Sequence, residues 1–128
     1  METVMIINRF EDLEVYQEAL VVQREIFLLS KLFPKEERYS LTDQIRRSSR
    51  SVGANIAEAW HKRRYPAHFV LKLTDADAES AETRHWLQTG FDSEYLVEQQ
   101  FENLTERCLT IGAKLGNMIR NADKWVPR

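Results

Sequence analysis

The sequence predicts an all-α fold, a single antiparallel up-down-up-down four-helix bundle spanning residues 1–128. Three observations lead there. Apolar residues recur at alternating spacings of four and three in four separate runs, which is the pattern of one helical face. The breaks between the runs are short and carry Pro34, Tyr65-Pro66 and Gly90. No stretch shows the apolar–polar alternation of a half-buried strand. Short connections then set successive helices side by side and antiparallel.

The first helix is expected over about residues 13–33, capped by Asp12, after a loose lead-in at residues 1–11. Its stripe is Val15, Ala19, Val22, Ile26, Leu29 and Phe33. Leu13, Tyr16, Leu20 and Phe27 run beside it and widen the apolar face beyond one bundle seam, so part of this face is a candidate contact with another subunit. Pro34 disfavours helical geometry at the residue before it and ends the helix. Ser40, with Asp43 three residues on, marks the start of a second helix over about 41–62. Its core side is Leu41, Ile45, Ser48, Val52, Asn55, Ile56 and Ala59. Gly53 inside it costs about 1 kcal/mol against alanine, which points to a packing reason. Asn55 on that side needs a hydrogen-bond partner and is expected to find one across the bundle or across an interface.

Pro66 suits the first turn of a third helix over about 66–89, with a stripe of Phe69, Leu73, Ala76, Ser80, Thr83, Leu87 and Gly90. Gly90 is the expected left-handed terminator. Ser93 is the expected cap of a fourth helix over about 93–122, which carries Val97, Phe101, Leu104, Cys108, Ile111, Leu115, Met118 and Ala122. The tail from Asp123 is expected to fray, with Trp125 as the residue able to dock.

Charge is distributed unevenly along the chain. The net charge is −2, but residues 35–64 hold eight basic residues against four acidic ones, whereas residues 75–106 hold nine acidic residues and only Arg84 as a base. Such a dipolar chain suits a polyanion, or a second copy of itself. Arg46, Arg47 and Arg50 on the second helix, and Lys62, Arg63 and Arg64 at its end, are the candidate nucleic-acid-binding residues, with Tyr39, Trp60 and Tyr65 nearby. A solvated face, or a contact with the acidic helices of another copy, uses the same residues. No helix-turn-helix, zinc-finger or RNA-recognition signature accompanies them.

Enzymatic chemistry finds little support. Glu58-x-x-His61 and Glu82-x-x-His85 have the spacing used in di-metal bundles. On antiparallel helices their heights differ by roughly 18 Å, too far to share a metal pair. The single cysteine, Cys108, sits on a core stripe and reads as an apolar filler without a nearby base. No phosphate-cradling glycine loop and no Gly-x-Ser-x-Gly elbow is present. The expectation is therefore no catalytic residue, no metal and no cofactor. One cysteine, no signal-peptide pattern at Met1–Phe10 and no apolar run of about 18 residues point to a soluble cytoplasmic protein.

Three segments together resemble one family. Phe10–Leu20 (FEDLEVYQEAL), Leu32–Ala59 (LFPKEERYSLTDQIRRSSRSVGANIAEA) and His68–Leu87 (HFVLKLTDADAESAETRHWL) follow, in order, the pattern of the four-helix-bundle proteins also called ribosomal-RNA intervening-sequence proteins. FPKEERYSL, QIRR and NIAEA are the most specific parts. The resemblance implies a small bacterial cytosolic bundle that assembles into a homopentamer with a central channel. It carries over no catalytic residue, since most members have no assigned activity. A related member, the accessory variability protein of diversity-generating retroelements, binds a reverse transcriptase and nucleic acid through a basic surface. The positions matching the family signature are Gln44, Ile45, Arg46, Arg47, Asn55, Ile56, Ala57 and Glu58, of which Gln44, Asn55 and Glu58 are candidate structural or interface residues. The chain departs from the family pattern at Ala59, where glycine is usual and where alanine lets the helix run on to His61. It departs again at Ala78-Glu79 and at Tyr16, where tryptophan is common. The function implied is a non-enzymatic homo-oligomeric scaffold for RNA or a nucleic-acid-processing protein. The alternative is an oligomer that contacts only protein.

Overall fold

The computed structural model describes residues 7–127. Among them four helices form: α1 (Glu14–Ser30), α2 (Leu41–His61), α3 (Pro66–Asp92) and α4 (Glu98–Arg120). Short 3-10 turns cover Phe10–Asp12, Lys35–Glu37 and Ala122–Trp125, and no strand is found among the described residues. Each helix packs on its two neighbours in the cyclic order α1–α2–α3–α4, and the short connections make neighbours antiparallel. No described helix is long and apolar enough to cross a membrane. The first six residues of the expected lead-in lie outside the described residues.

The core follows the 4-3 stripes. All seven stripe residues of α3 are buried, and so are Val15, Ala19, Val22 and Ile26 of α1. From α2 come Leu41, Ile45, Ser48, Val52, Ile56 and Ala59, and from α4 Leu104, Cys108, Ile111, Leu115 and Met118. Between α2 and α3 the small side chains permit buried polar contacts. The Thr83 and Ser48 hydroxyls bond at 2.9 Å, and the Ser80 hydroxyl donates to the Cys108 carbonyl of α4 at 3.3 Å. Gly53 meets a large neighbour, since an added Cβ would stand 3.4 Å from Tyr16 Cε1. Tyr16 thus packs against α2, with Phe10 edge-on at 4.9 Å between ring centroids.

Several ends differ from the sequence expectation. The first helix stops at Ser30, short of Pro34. Leu32 and Phe33 N–H groups donate to Leu29 and Ser30 in tight turns, which swings Phe33 under the bundle against Tyr95. Leu13, not Asp12, occupies its N-cap, and no side chain caps it. Ser40 does occupy the N-cap of α2, but its hydroxyl donates to Glu37 Oε1, which also accepts from Leu41 N–H at 3.4 Å. Glu37 Oε2 accepts from the Tyr95 hydroxyl at 2.9 Å, so one carboxylate ties the α1–α2 connection to the α3–α4 turn. That bond holds the Tyr95 hydroxyl above its ordinary pKa.

Gly90 does not end the third helix. It lies inside α3, where Leu96 folds back to within 3.2 Å of where its Cβ would be. Glu94, at φ 63, is the left-handed residue instead. Tyr95 N–H bonds to Gly90 C=O and Glu94 N–H to Phe91 C=O, the paired bonds of a Schellman end. Ser93 therefore closes α3 and does not cap α4. The fourth helix begins at Glu98, and Gln100 Oε1 accepts from Val97 N–H at 3.0 Å. Val97, expected in the core, is exposed, and Leu96 is buried in its place. The expected fraying at the tail is replaced by the Ala122–Trp125 turn, which sets Trp125 edge-on to Trp60 at 6.2 Å. The second helix runs to His61, as Ala59 allows.

Candidate nucleic-acid interface

Successive residues on a helix point about 100° apart, so neighbouring arginines on α2 serve different faces. Arg46 and Arg50 turn towards α1. The Arg46 Nε donates to Ser30 Oγ at 2.7 Å, and its guanidinium lies 4.8 Å from the centre of the Phe27 ring. The Arg50 guanidinium lies 5.6 Å from the same ring, and the Lys31 ammonium 4.7 Å. The negative face of an aromatic ring attracts cations. Phe27 is therefore half-buried beneath three positive groups, which accounts for an apolar residue outside the core stripe. Among the described residues, none of Lys31, Arg46 and Arg50 forms an ion pair. Arg46 and Arg50 line an open groove of about 640 Å³ together with Arg38, Tyr39 and Arg47, and among the described residues Asp43 is the one acid along its wall.

Arg47, one residue from Arg46, points to α3. It pairs with Glu82 and with Glu79, the latter at 3.5 Å, and its Nε donates to Gln44 Oε1 at 3.4 Å. The Trp86 indole N–H also donates to Glu82, at 3.4 Å. Acidic residues of the same chain thus neutralise Arg47. Further along the same edge Lys72 bonds Glu58 at 2.8 Å and lies 3.5 Å from Asp75. Lys72 holds the Glu58 carboxyl below its ordinary pKa through the hydrogen bond and its charge, and Glu58 in turn raises Lys72.

The six candidate basic residues do not form one surface. Lys62, Arg63 and Arg64 stand at the opposite end of α2, about 18 Å of helix rise beyond Arg50. There Arg63 is occupied: its guanidinium lies 3.9 Å over the Trp60 ring and donates to the Trp60 carbonyl at 2.8 Å. Lys62 and Arg64 are exposed, next to the exposed Tyr65.

Asn55 departs from expectation. Its Nδ2 donates to Ser51 C=O at 2.8 Å, within its own helix, and the side chain is only half-buried. A bond one turn back satisfies the amide without a partner across the bundle. Tyr16, Leu20, Phe27 and Gln44 are likewise half-buried. The functional-looking residues that sequence reasoning passed over are Lys31, Arg38, Ser30, Glu37 and Lys72. Only Glu37 and Arg38 carried a signal, since both sit in the specific FPKEERYSL segment.

The paired Glu-x-x-His motifs stay apart. Glu58 faces Lys72 and Glu82 faces Arg47, so their levels on α3 differ by ten residues, about 15 Å. No group of three or more His, Cys, Asp or Glu suited to a metal occurs among the described residues. Burial pushes the Cys108 thiol up to about 11, which leaves it protonated and a poor nucleophile near neutral pH.

A sequence model described as the 23S rRNA-intervening sequence protein matches residues 11–117. Among solved structures, one is described as a protein of unknown function from the S23 ribosomal protein family of Bacteroides thetaiotaomicron. It is 32% identical, covers 82% of this chain and 97% of its own, and superposes with a TM-score of 0.74. No curated protein matches.

Proposed function

The chain belongs to the 23S rRNA-intervening sequence protein family, and from that membership we propose a non-enzymatic, cytoplasmic, homo-oligomeric scaffold that binds RNA through the open groove lined by Arg38, Arg46 and Arg50. The observation that carries this reading is the cluster of Lys31, Arg38, Arg46 and Arg50. None of them has a carboxylate partner among the described residues; Lys31, Arg46 and Arg50 lie against Phe27, and Ser30 also bonds Arg46. Fixed, uncompensated guanidinium groups suit phosphates, which they bind in bidentate fashion. The pentameric state is what the family resemblance implies. Exposed Leu28, Leu32, Leu71 and Leu109 supply apolar surface for subunit contacts. The non-enzymatic reading is supported by the protonated, buried Cys108 and by acids tied up in ion pairs.

Titrating RNA against the protein over a salt series tests this reading. Affinity is expected to fall linearly on logarithmic axes with salt, losing about 0.7 of slope per phosphate contact removed on single strands. Reversing Arg46 and Arg50 to glutamate is expected to cost at least about tenfold. Absent binding at low salt, or binding indifferent to both reversals, overturns the RNA reading.

A second reading, an oligomer that contacts only protein, draws on the α2–α3 edge. There Arg47, Glu79, Glu82, Lys72 and Glu58 alternate in sign along a partly exposed strip that could pair with another copy. Under it, Arg47→Glu lowers the solution mass and RNA binding is absent. An unchanged mass counts against it.

A further inference from the structure

Tyr39 is the aromatic residue that the bundle leaves most exposed, at 84%. An exposed tyrosine on a flexible loop would carry little meaning, but this one stands on a fixed turn. The Lys35–Glu37 turn precedes it, Ser40 N–H donates to Glu37 C=O at 3.0 Å, and the Glu37 side chain is held by Ser40, Leu41 and Tyr95. The Arg38 guanidinium lies 5.4 Å from the Tyr39 ring centre and covers one face. Its high exposure leaves the ring otherwise open to solvent. Tyr39 also lines the same groove as Arg46 and Arg50.

We infer that this groove takes single-stranded RNA, with Tyr39 as the platform on which an unpaired base stacks while Arg46 and Arg50 hold the flanking phosphates. The inference rests on the RNA reading above and names its substrate class. An exposed ring beside cations is the arrangement that single-strand binders use, because each unpaired base brings a π-face and each linkage a negative charge. A duplex keeps its bases stacked inside and presents Tyr39 with only sugar and phosphate. Arg38 strengthens the platform from its covered side by a cation–π contact.

The test compares a labelled oligouridine of about twelve nucleotides with an RNA duplex of the same length, by fluorescence anisotropy on the full chain. The single strand is expected to bind about tenfold or more tightly than the duplex. Tyr39→Leu is expected to weaken single-strand binding by about five- to hundredfold, with duplex binding and the salt slope unchanged, whereas Tyr39→Phe retains affinity. Equal affinity for duplex and strand, or an unaltered affinity in Tyr39→Leu, overturns the inference. A lower solution mass in Tyr39→Leu overturns it too, by assigning the ring to a subunit contact. If these arms fail while the Arg46 and Arg50 reversals still abolish binding, the RNA reading survives without the base platform. If the unaltered protein binds neither RNA at low salt, both fall.

Discussion

Arg46 and Arg47 are adjacent in sequence and chemically identical, yet they meet opposite surroundings. Arg46 leans over the Phe27 ring, bonds Ser30, and has no carboxylate within ion-pair distance among the described residues. Arg47 is flanked by Glu79 and Glu82 of the neighbouring helix. A turn of about 100° between consecutive residues separates an open basic face from a neutralised polar edge. The basic excess of residues 35–64 is therefore not the charge that a ligand meets. The acidic excess of residues 75–106 is spent in part on the same chain, across the α2–α3 edge.

Four tests sharpen or break this contrast. The largest effect belongs to the core beneath the α2–α3 edge. Phe69 is fully buried, and Phe69→Ala is expected to cost about 3–5 kcal/mol, read as a lower urea midpoint with unchanged slope. The same truncation at half-buried Phe27 should cost far less, and comparable losses at the two sites would erase the distinction between seam and face. Next comes charge reversal. The double change Arg46→Glu with Arg50→Glu is expected to lower RNA affinity by at least about tenfold and leave the melting temperature nearly unaltered. Arg47→Glu should act mainly on stability: it sets a third carboxylate beside Glu79 and Glu82 and destabilises the fold, and although Arg47 also lines the groove, its paired charge makes the loss of RNA affinity smaller than in the double reversal. Equal losses of RNA affinity in both variants would sink the two-face description.

Thr83→Val probes the buried polar contact within the seam. It removes the hydroxyl that meets Ser48 at 2.9 Å and should destabilise by about 1–2 kcal/mol in thermal unfolding. A neutral result would mean that Ser48, which also donates to Ile45 C=O, needs no second partner. The smallest effect concerns pH. The Glu58 pKa is lowered in the fold, so its pairing with Lys72 contributes above the carboxyl's ordinary value of 4.5 and is lost as pH falls through the lowered one. Lys72 is raised, so its share is present below 10.5 and lost as pH climbs past that. Both ends are near the surface, and Glu58→Gln should flatten the acid limb by only about 0.2–1 kcal/mol. No change in that limb would show the pair to be energetically silent.

Much of the fold was legible because helical periodicity is local. The seven buried positions of α3 follow directly from their 4-3 spacing, as do five of the eight in α4. Where spacing misled, a contact distant in sequence intervened. Val97 keeps the period but lies on the turn, because Leu96 folds over Gly90 and takes the core position. Glu94 adopts the left-handed end that Gly90 seemed suited for. Asn55 looked to need a partner across the bundle, but one turn of its own helix supplies it. Of the candidate site, the residue types were readable and their grouping was not. Lys31 and Arg38, which lie outside the basic run on α2, join Arg46 and Arg50, whereas Lys62, Arg63 and Arg64 fall at the far end.

By itself, then, the sequence determined four helices, their order, most of the core and the wide separation of the two Glu-x-x-His motifs. Each depends on rise, turn and apolar spacing along one chain segment. Tertiary structure alone decided which arginines stay uncompensated, that Phe27 lies beneath three cations, and that Glu37 links two distant turns. Those outcomes depend on the rotation of one helix against another. A difference of one residue, or about 100°, changes a carboxylate neighbour into an aromatic one.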